Sequence, residues 1–209
     1  FLKCFAYLGS MGCAALFFFD VDNVEFGILM SILASIGFSG SLVFYNAFLP
    51  EIASPDKYDR LSARGFSFGY IGSVILLILN LAMIESPTTF GLVEGSMPAR
   101  ISFVLVGLWW AGFAQIPFRR LPDSVITKES KENLVRKGYE EIKKVYRSLS
   151  GLPNLKKYLI SFFFYNAGVQ AVMYLATLFG TTELQMETSA LILTVLIIQV
   201  VAIGGAYLF

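Results

Sequence analysis

The chain has 209 residues, of which 56% are hydrophobic and 15% charged, with a net charge of +1 and no histidine. Its mean hydropathy is +0.68. Soluble domains hold roughly 45–50% apolar and about 25% charged residues, so a water-soluble core is excluded as the main architecture, and the missing imidazole excludes His-based proton relays and metal sites.

Six apolar segments follow one another, near 1–19, 26–49, 66–84, 101–118, 158–180 and 189–209. A helix crosses the hydrocarbon core with about 20 mostly apolar residues, and charge enters these segments only at Lys3. Strands of a membrane barrel are shorter and alternate. The expected fold is therefore all-α, a polytopic bundle of transmembrane helices. The first segment holds the only cysteines, Cys4 and Cys13, which read as packing residues rather than a disulfide or metal pair. The chain opens without Met inside an apolar run and stops with the last helix still running. It is read as an internal fragment, and the five later spans argue against a cleaved leader.

The connections fix the orientation. The first, 20–25, carries Asp20, Asp22 and Glu25 and no base; the second, 50–65, carries Lys57, Arg60 and Arg64. The third, 85–100, holds Glu85, Glu94 and the single base Arg100. The fourth, 119–157, holds eleven Lys or Arg, and the fifth holds none. With Lys3, fifteen of the sixteen bases fall on one side, and short basic loops face the cytoplasm. Loops 50–65 and 119–157 are expected to be cytoplasmic, in a multi-pass protein of a bacterial inner membrane. Ser54-Pro55 predicts a helix start, with Ser as cap.

The fourth loop has structure of its own. Val135, Tyr139, Ile142, Tyr146 and Leu149 recur at steps of four and three, opposite Lys131, Lys137, Glu140, Glu141 and Lys144. This spacing predicts an amphipathic helix that lies on the anionic inner leaflet, braces the helix ends, or serves as a solvated connector. Gly151 and Pro153 end it.

Polar residues inside a span are costly and mark a bundle interior or a wet cavity. On the second span Ser31, Ser35, Ser39 and Asn46 fall within about 80° at 100° per residue. On the fifth, Asn166, Gln170, Tyr174, Thr177 and Thr181 do the same, and the third carries Ser67, Tyr70, Ser73 and Asn80. The serines have an alternative reading as small residues that let helices approach. The amides and Tyr174 are too large for that role. The glycine pair Gly65 and Gly69 reads as packing. The candidate solute path is Asn46, Tyr70, Asn80, Asn166, Gln170, Tyr174 and Thr177. The candidate cytoplasmic gate is Tyr45, Asp59, Arg60, Arg64 and Tyr165, in which Asp59 and the two arginines form a latch with partners on other elements. The word FYNA occurs at 44–47 and at 164–167, which places Asn46 and Asn166 at the inner end of each stripe.

FYNAFLPEIA at 44–53 and DRLSARGFSFGYIGS at 59–73 resemble the vacuole-effluxer (autophagy-related effluxer-like) family of the major facilitator superfamily. So do FFFYNAGVQAVMYLATLFG at 162–180 and SALILTVLIIQVVAIGGAYLF at 189–209. The resemblance covers nearly the whole chain and implies spans three to eight of a twelve-helix transporter. Residues 1–118 are then the last four helices of the N-terminal half, 119–157 the cytoplasmic linker between halves, and 158–209 the first two helices of the C-terminal half. It further implies that the second, third, fifth and sixth segments line the central cavity, and that Gln115 on the fourth does not. In the family pattern the position of Ala167 is often acidic, so this helix lacks a carboxylate for proton coupling.

The expected function is secondary transport of a small polar solute, such as an amino acid for export, by alternating access. Membrane lipids and the solute are the expected partners of a monomer, with no nucleic acid, cofactor or metal. A non-transporting membrane scaffold or sensor and a lipid transporter are the alternatives. No nucleophile–base pair, metal cluster or GxxxxGK phosphate loop favours an enzyme.

Overall fold

A computed structural model describes residues 1–93, 95–121 and 134–208. Glu94 and Lys131 lie outside the described residues. Eight helices occur among them: α1 (Leu2–Ala15), α2 (Val24–Ala47), the single turn α3 (Leu49–Ile52), α4 (Tyr58–Glu85), α5 (Met97–Arg120), α6 (Leu134–Ser148), α7 (Pro153–Thr182) and α8 (Thr188–Leu208). No strand occurs among the described residues. Five helical stretches are long and apolar enough to cross a membrane, those of α2, α4, α5, α7 and α8, while the apolar stretch Leu2–Phe18 is shorter. At 1.5 Å per residue it reaches about 25 Å.

Local chemistry sets the ends of these helices. Asp20 caps the turn Val21–Asn23, accepting from the Val21 N–H at 2.8 Å, while Asn23 Oδ1 accepts from the Asp20 N–H. Pro55 opens the turn that leads into α4, as the sequence predicts, but the Ser54 hydroxyl makes no capping bond. The extended backbone of Ala53 and Ser54 supplies the break between α3 and α4. Gly91, at φ 69°, closes the turn after α4, a conformation that costs an L-residue about 1–2 kcal/mol.

Two compact units form, one of Phe1–Leu121 with Thr188–Phe209, the other of Pro122–Glu187. In the first, α1 packs between α2 and α5, α5 touches α4, and α4 packs along α8. Small residues bring these backbones together. A Cβ on Gly37 would stand 2.3 Å from the Gly9 nitrogen, and one on Gly107 would stand 2.6 Å from the Ser10 carbonyl oxygen. Ala6, Gly9, Ser10 and Gly12 are all buried. Gly65 and Gly69 behave differently from the packing pair expected. Gly65 meets only the Tyr45 hydroxyl, and nothing lies within 4 Å of a Cβ on Gly69. Small-residue spacing shows that a helix can approach there, not which helix does.

Aromatic rings gather at the end of the unit that carries Lys3. Phe44 stacks on Phe1 and Phe5, with centroids 5.6 and 5.7 Å away. Phe118 meets Tyr7, and Lys3 stands over its face at 5.9 Å. Gln115 is occupied there too, donating to the Tyr7 hydroxyl at 3.0 Å and to the Ala111 carbonyl at 2.8 Å. At the opposite, acidic end Arg100 pairs with Asp20 at 2.6 Å. The one base that stands apart from the other fifteen thus has its own carboxylate.

Candidate functional site

Helix α4 presents one polar face to α8. At 100° per residue Asp59, Tyr70, Ser73 and Asn80 share an arc of about 80°. Ser67 falls outside it; it is 1% exposed and donates to the Ala63 carbonyl at 2.9 Å. A cleft of about 560 Å³ opens along this face at the basic end, with Asp59, Ser62, Phe66 and Tyr70 on one wall and Ala202 and Gly205 on the other. Small residues on α8 leave the room that the larger residues of α4 line.

Deeper along the same seam the Ser73 hydroxyl donates to Gln199 Oε1. Gln199 was not among the expected site residues, because it is a lone amide in α8 with no neighbours at helical spacing to form a stripe. Its signal is cost: an amide inside an apolar span calls for a partner. Further on, Asn80 is 8% exposed and its Oδ1 has no hydrogen-bond partner. A buried unpartnered carbonyl costs about 1–3 kcal/mol, so this side chain is one that a donor from a solute or water would stabilise.

Helix α2 carries the serine stripe beside its contact with α1. Ser31, Ser35 and Ser39 line an open groove of about 920 Å³ with the rings of Phe5, Phe19 and Phe103. The approach to α1 instead uses Gly37. At the basic end Asn46 is exposed, and Tyr45 reaches α4, where a Cβ on Gly65 would lie 3.1 Å from its hydroxyl. Asp59, Arg60 and Arg64 are exposed and form no ion pair among the described residues.

Helix α7 belongs to the second unit. Its residues Tyr165, Asn166, Gln170, Tyr174 and Thr177 are exposed. Thr177 satisfies itself by donating to the Met173 carbonyl at 3.3 Å, the back-bonding usual for helical threonine. The amides of Asn166 and Gln170 make no side-chain bond among the described residues and retain their donors and acceptors. No group of three or more acidic or cysteine side chains among the described residues is placed to hold a metal.

A family model described as vacuole effluxer Atg22 like matches residues 1–209. The uncharacterized MFS-type transporter YxiO of Bacillus subtilis (strain 168) is 29% identical over 203 residues, covering 97% of this chain and 47% of YxiO. Autophagy-related protein 22-2 of Neosartorya fischeri is 28% identical over 75% of this chain and 28% of its own length. Autophagy-related protein 22-1 of Aspergillus terreus is 28% identical over 72% of this chain and 27% of its own. The chain thus spans about half the length of the bacterial relative and less of the fungal ones. No solved structure matches it at a significant level. Spanning-length helices and these relatives together make the chain an integral, multi-pass membrane protein.

Proposed function

Because the chain belongs to the vacuole effluxer Atg22-like family, we propose that it forms the middle of a secondary transporter that moves a small polar solute by alternating access. Residues 1–118 and 158–209 contribute to two halves, joined by the linker 119–157, with loops 50–65 and 119–157 in the cytoplasm. The observation that carries this reading is the polar face of α4 along α8, with a cleft at its basic end and an unpartnered amide at its deep end. A helix that only met lipid or a tight neighbour gains nothing from such groups. Asn46, Tyr70, Asn80, Asn166, Gln170, Tyr174 and Thr177 replace water around the solute. Tyr45, Tyr165, Asp59, Arg60 and Arg64 control the cytoplasmic mouth.

In alternating access two helical halves rock about a midplane site. The α4–α8 seam is then a contact that opens and closes with the cycle. A solute rich in donors and acceptors suits the amide side chains, and an amino acid for export fits this chemistry. A bacterial relative matches 97% of the chain, which favours a plasma membrane over a vacuole. Cysteines at Ser62 and Ala206, both lining the cleft, provide the test in the full-length protein. Bridging Ser62→Cys and Ala206→Cys with a reducible cross-linker should stop solute counterflow, and reduction should restore it. Undiminished counterflow with the bridge formed would contradict the proposal.

A further inference from the structure

Helix α6 has an apolar face with no cover among the described residues. Tyr139, Ile142 and Tyr146 are 65, 70 and 75% exposed, yet their spacing gathers them within about 60° of one another. Lys143 and Arg147 stand one turn apart beside this face. The acids lie farther round, where Glu141 pairs with Lys144 at 2.6 Å. The polar side is thus partly neutralised at its back and cationic along the border of the apolar face.

Position narrows what this face meets. The turn Leu149–Gly151 joins α6 to α7, which begins at Pro153 and enters a membrane-spanning stretch there. The end of α6 is therefore fixed within a few residues of the bilayer boundary. From Leu134 to Lys157 the sequence holds seven bases against two acids, so the complementary surface is anionic. Tyrosine suits the headgroup region, where its ring finds an apolar layer and its hydroxyl a wet one.

We propose that α6 docks flat on an anionic phospholipid leaflet, with Tyr139, Ile142 and Tyr146 in the headgroup boundary and Lys143 and Arg147 on lipid phosphates. The bases at the border reach outward over the interface on their flexible stems. The inference is independent of the transport reading, since a scaffold with the same helix would dock in the same way.

The test places a fluorophore on Ile142→Cys or, on the opposite face, on Ser148→Cys, in the full-length protein with every other cysteine, Cys4 and Cys13 included, replaced by Ala. The labelled protein is reconstituted in nanodiscs of phosphatidylcholine alone or with phosphatidylglycerol. The expected result is that lipid-borne quenchers reach the label at 142, and acrylamide does not, only in the anionic discs. The label at 148 stays open to acrylamide in both. Each base at an anionic surface is worth about fivefold in partitioning. Losing both bases alone lowers the docked-to-undocked ratio roughly 25-fold, so the Lys143→Glu, Arg147→Glu double variant should lower it by at least that much. Acrylamide access at 142 in both compositions would overturn the proposal in favour of a solvated connector. Shielding from acrylamide without lipid quenching would overturn it in favour of packing on protein, whether the chain's own spans or a second copy. Lipid quenching unaffected by phosphatidylglycerol and by the charge reversals would also overturn it.

Discussion

Asp20 and Arg100 close the acidic end of the first unit with one short ion pair. Hydrogen bonds from the Arg100 guanidinium and the Val21 N–H, and then the guanidinium charge, hold the Asp20 carboxyl below its usual range. A depressed carboxylate contributes stability above its unfolded pKa, about 4, and loses it as pH falls through the lower folded value. The melting temperature of the wild-type protein in detergent should therefore fall toward that of Asp20→Asn on acidification below about pH 4, while the two stay apart at neutral pH. A constant gap over that range would show that the pair does not titrate as described. The Ser73–Gln199 bond gives a second test. A double-mutant cycle of Ser73→Ala and Gln199→Leu should return a coupling of about 0.6 kcal/mol, and at most about 1.7, the range of hydrogen bonds between membrane helices. Zero coupling would remove that bond from the α4–α8 seam. Arg100 was legible in the sequence as the exceptional base, and its partner lay among the three acids of the facing loop. Gln199 was less legible, because periodicity finds stripes and overlooks a single amide whose partner is on another helix.

The elements were read most securely where composition alone decides them. Apolar length located the spans, and the 4–3 spacing of Tyr139, Ile142 and Tyr146 located α6, because a helix shows its period regardless of what it packs against. Helix contacts were less legible. Gly65 and Gly69 have the spacing of a packing face, but the tight approaches use Gly37 against Gly9 and Gly107 against Ser10. Glycine substitutions should separate the two cases. Gly37→Ala forces a methyl into the α1 backbone and should destabilise the protein by about 1–3 kcal/mol, the cost of overpacking. Gly69→Ala meets open space and should be neutral or slightly stabilising, since Ala favours helix over Gly by about 1 kcal/mol. Thermal melts of the two variants in the same detergent give the comparison. Equal effects would mean that α1 and α2 do not approach through Gly37.

In the molecule as a whole, the first unit carries a polar seam between α4 and α8, and the second carries a polar stripe on α7. Asp59 of the expected gate and Tyr70 of the expected path line one cleft, Asn80 of the path shares their face of α4, and Tyr45 of the gate reaches the base of that helix. Asn166 and Gln170 stand on α7 with their amides unengaged. Chemistry made these residues visible in the sequence, since each is expensive in a membrane unless something polar answers it. Which helices they face depends on tertiary contacts that one-dimensional spacing does not encode. The central claim is that these amides bind the transported solute. Counterflow in proteoliposomes of the full-length protein, across a panel of amino acids and other small polar solutes, tests it with the Asn166→Leu, Gln170→Leu double variant. Each lost hydrogen bond is worth about 0.5–1.5 kcal/mol. The account predicts that apparent affinity for the accepted solute falls roughly 5- to 150-fold, with expression and melting temperature unchanged. Wild-type affinity and rate in the double variant would contradict it.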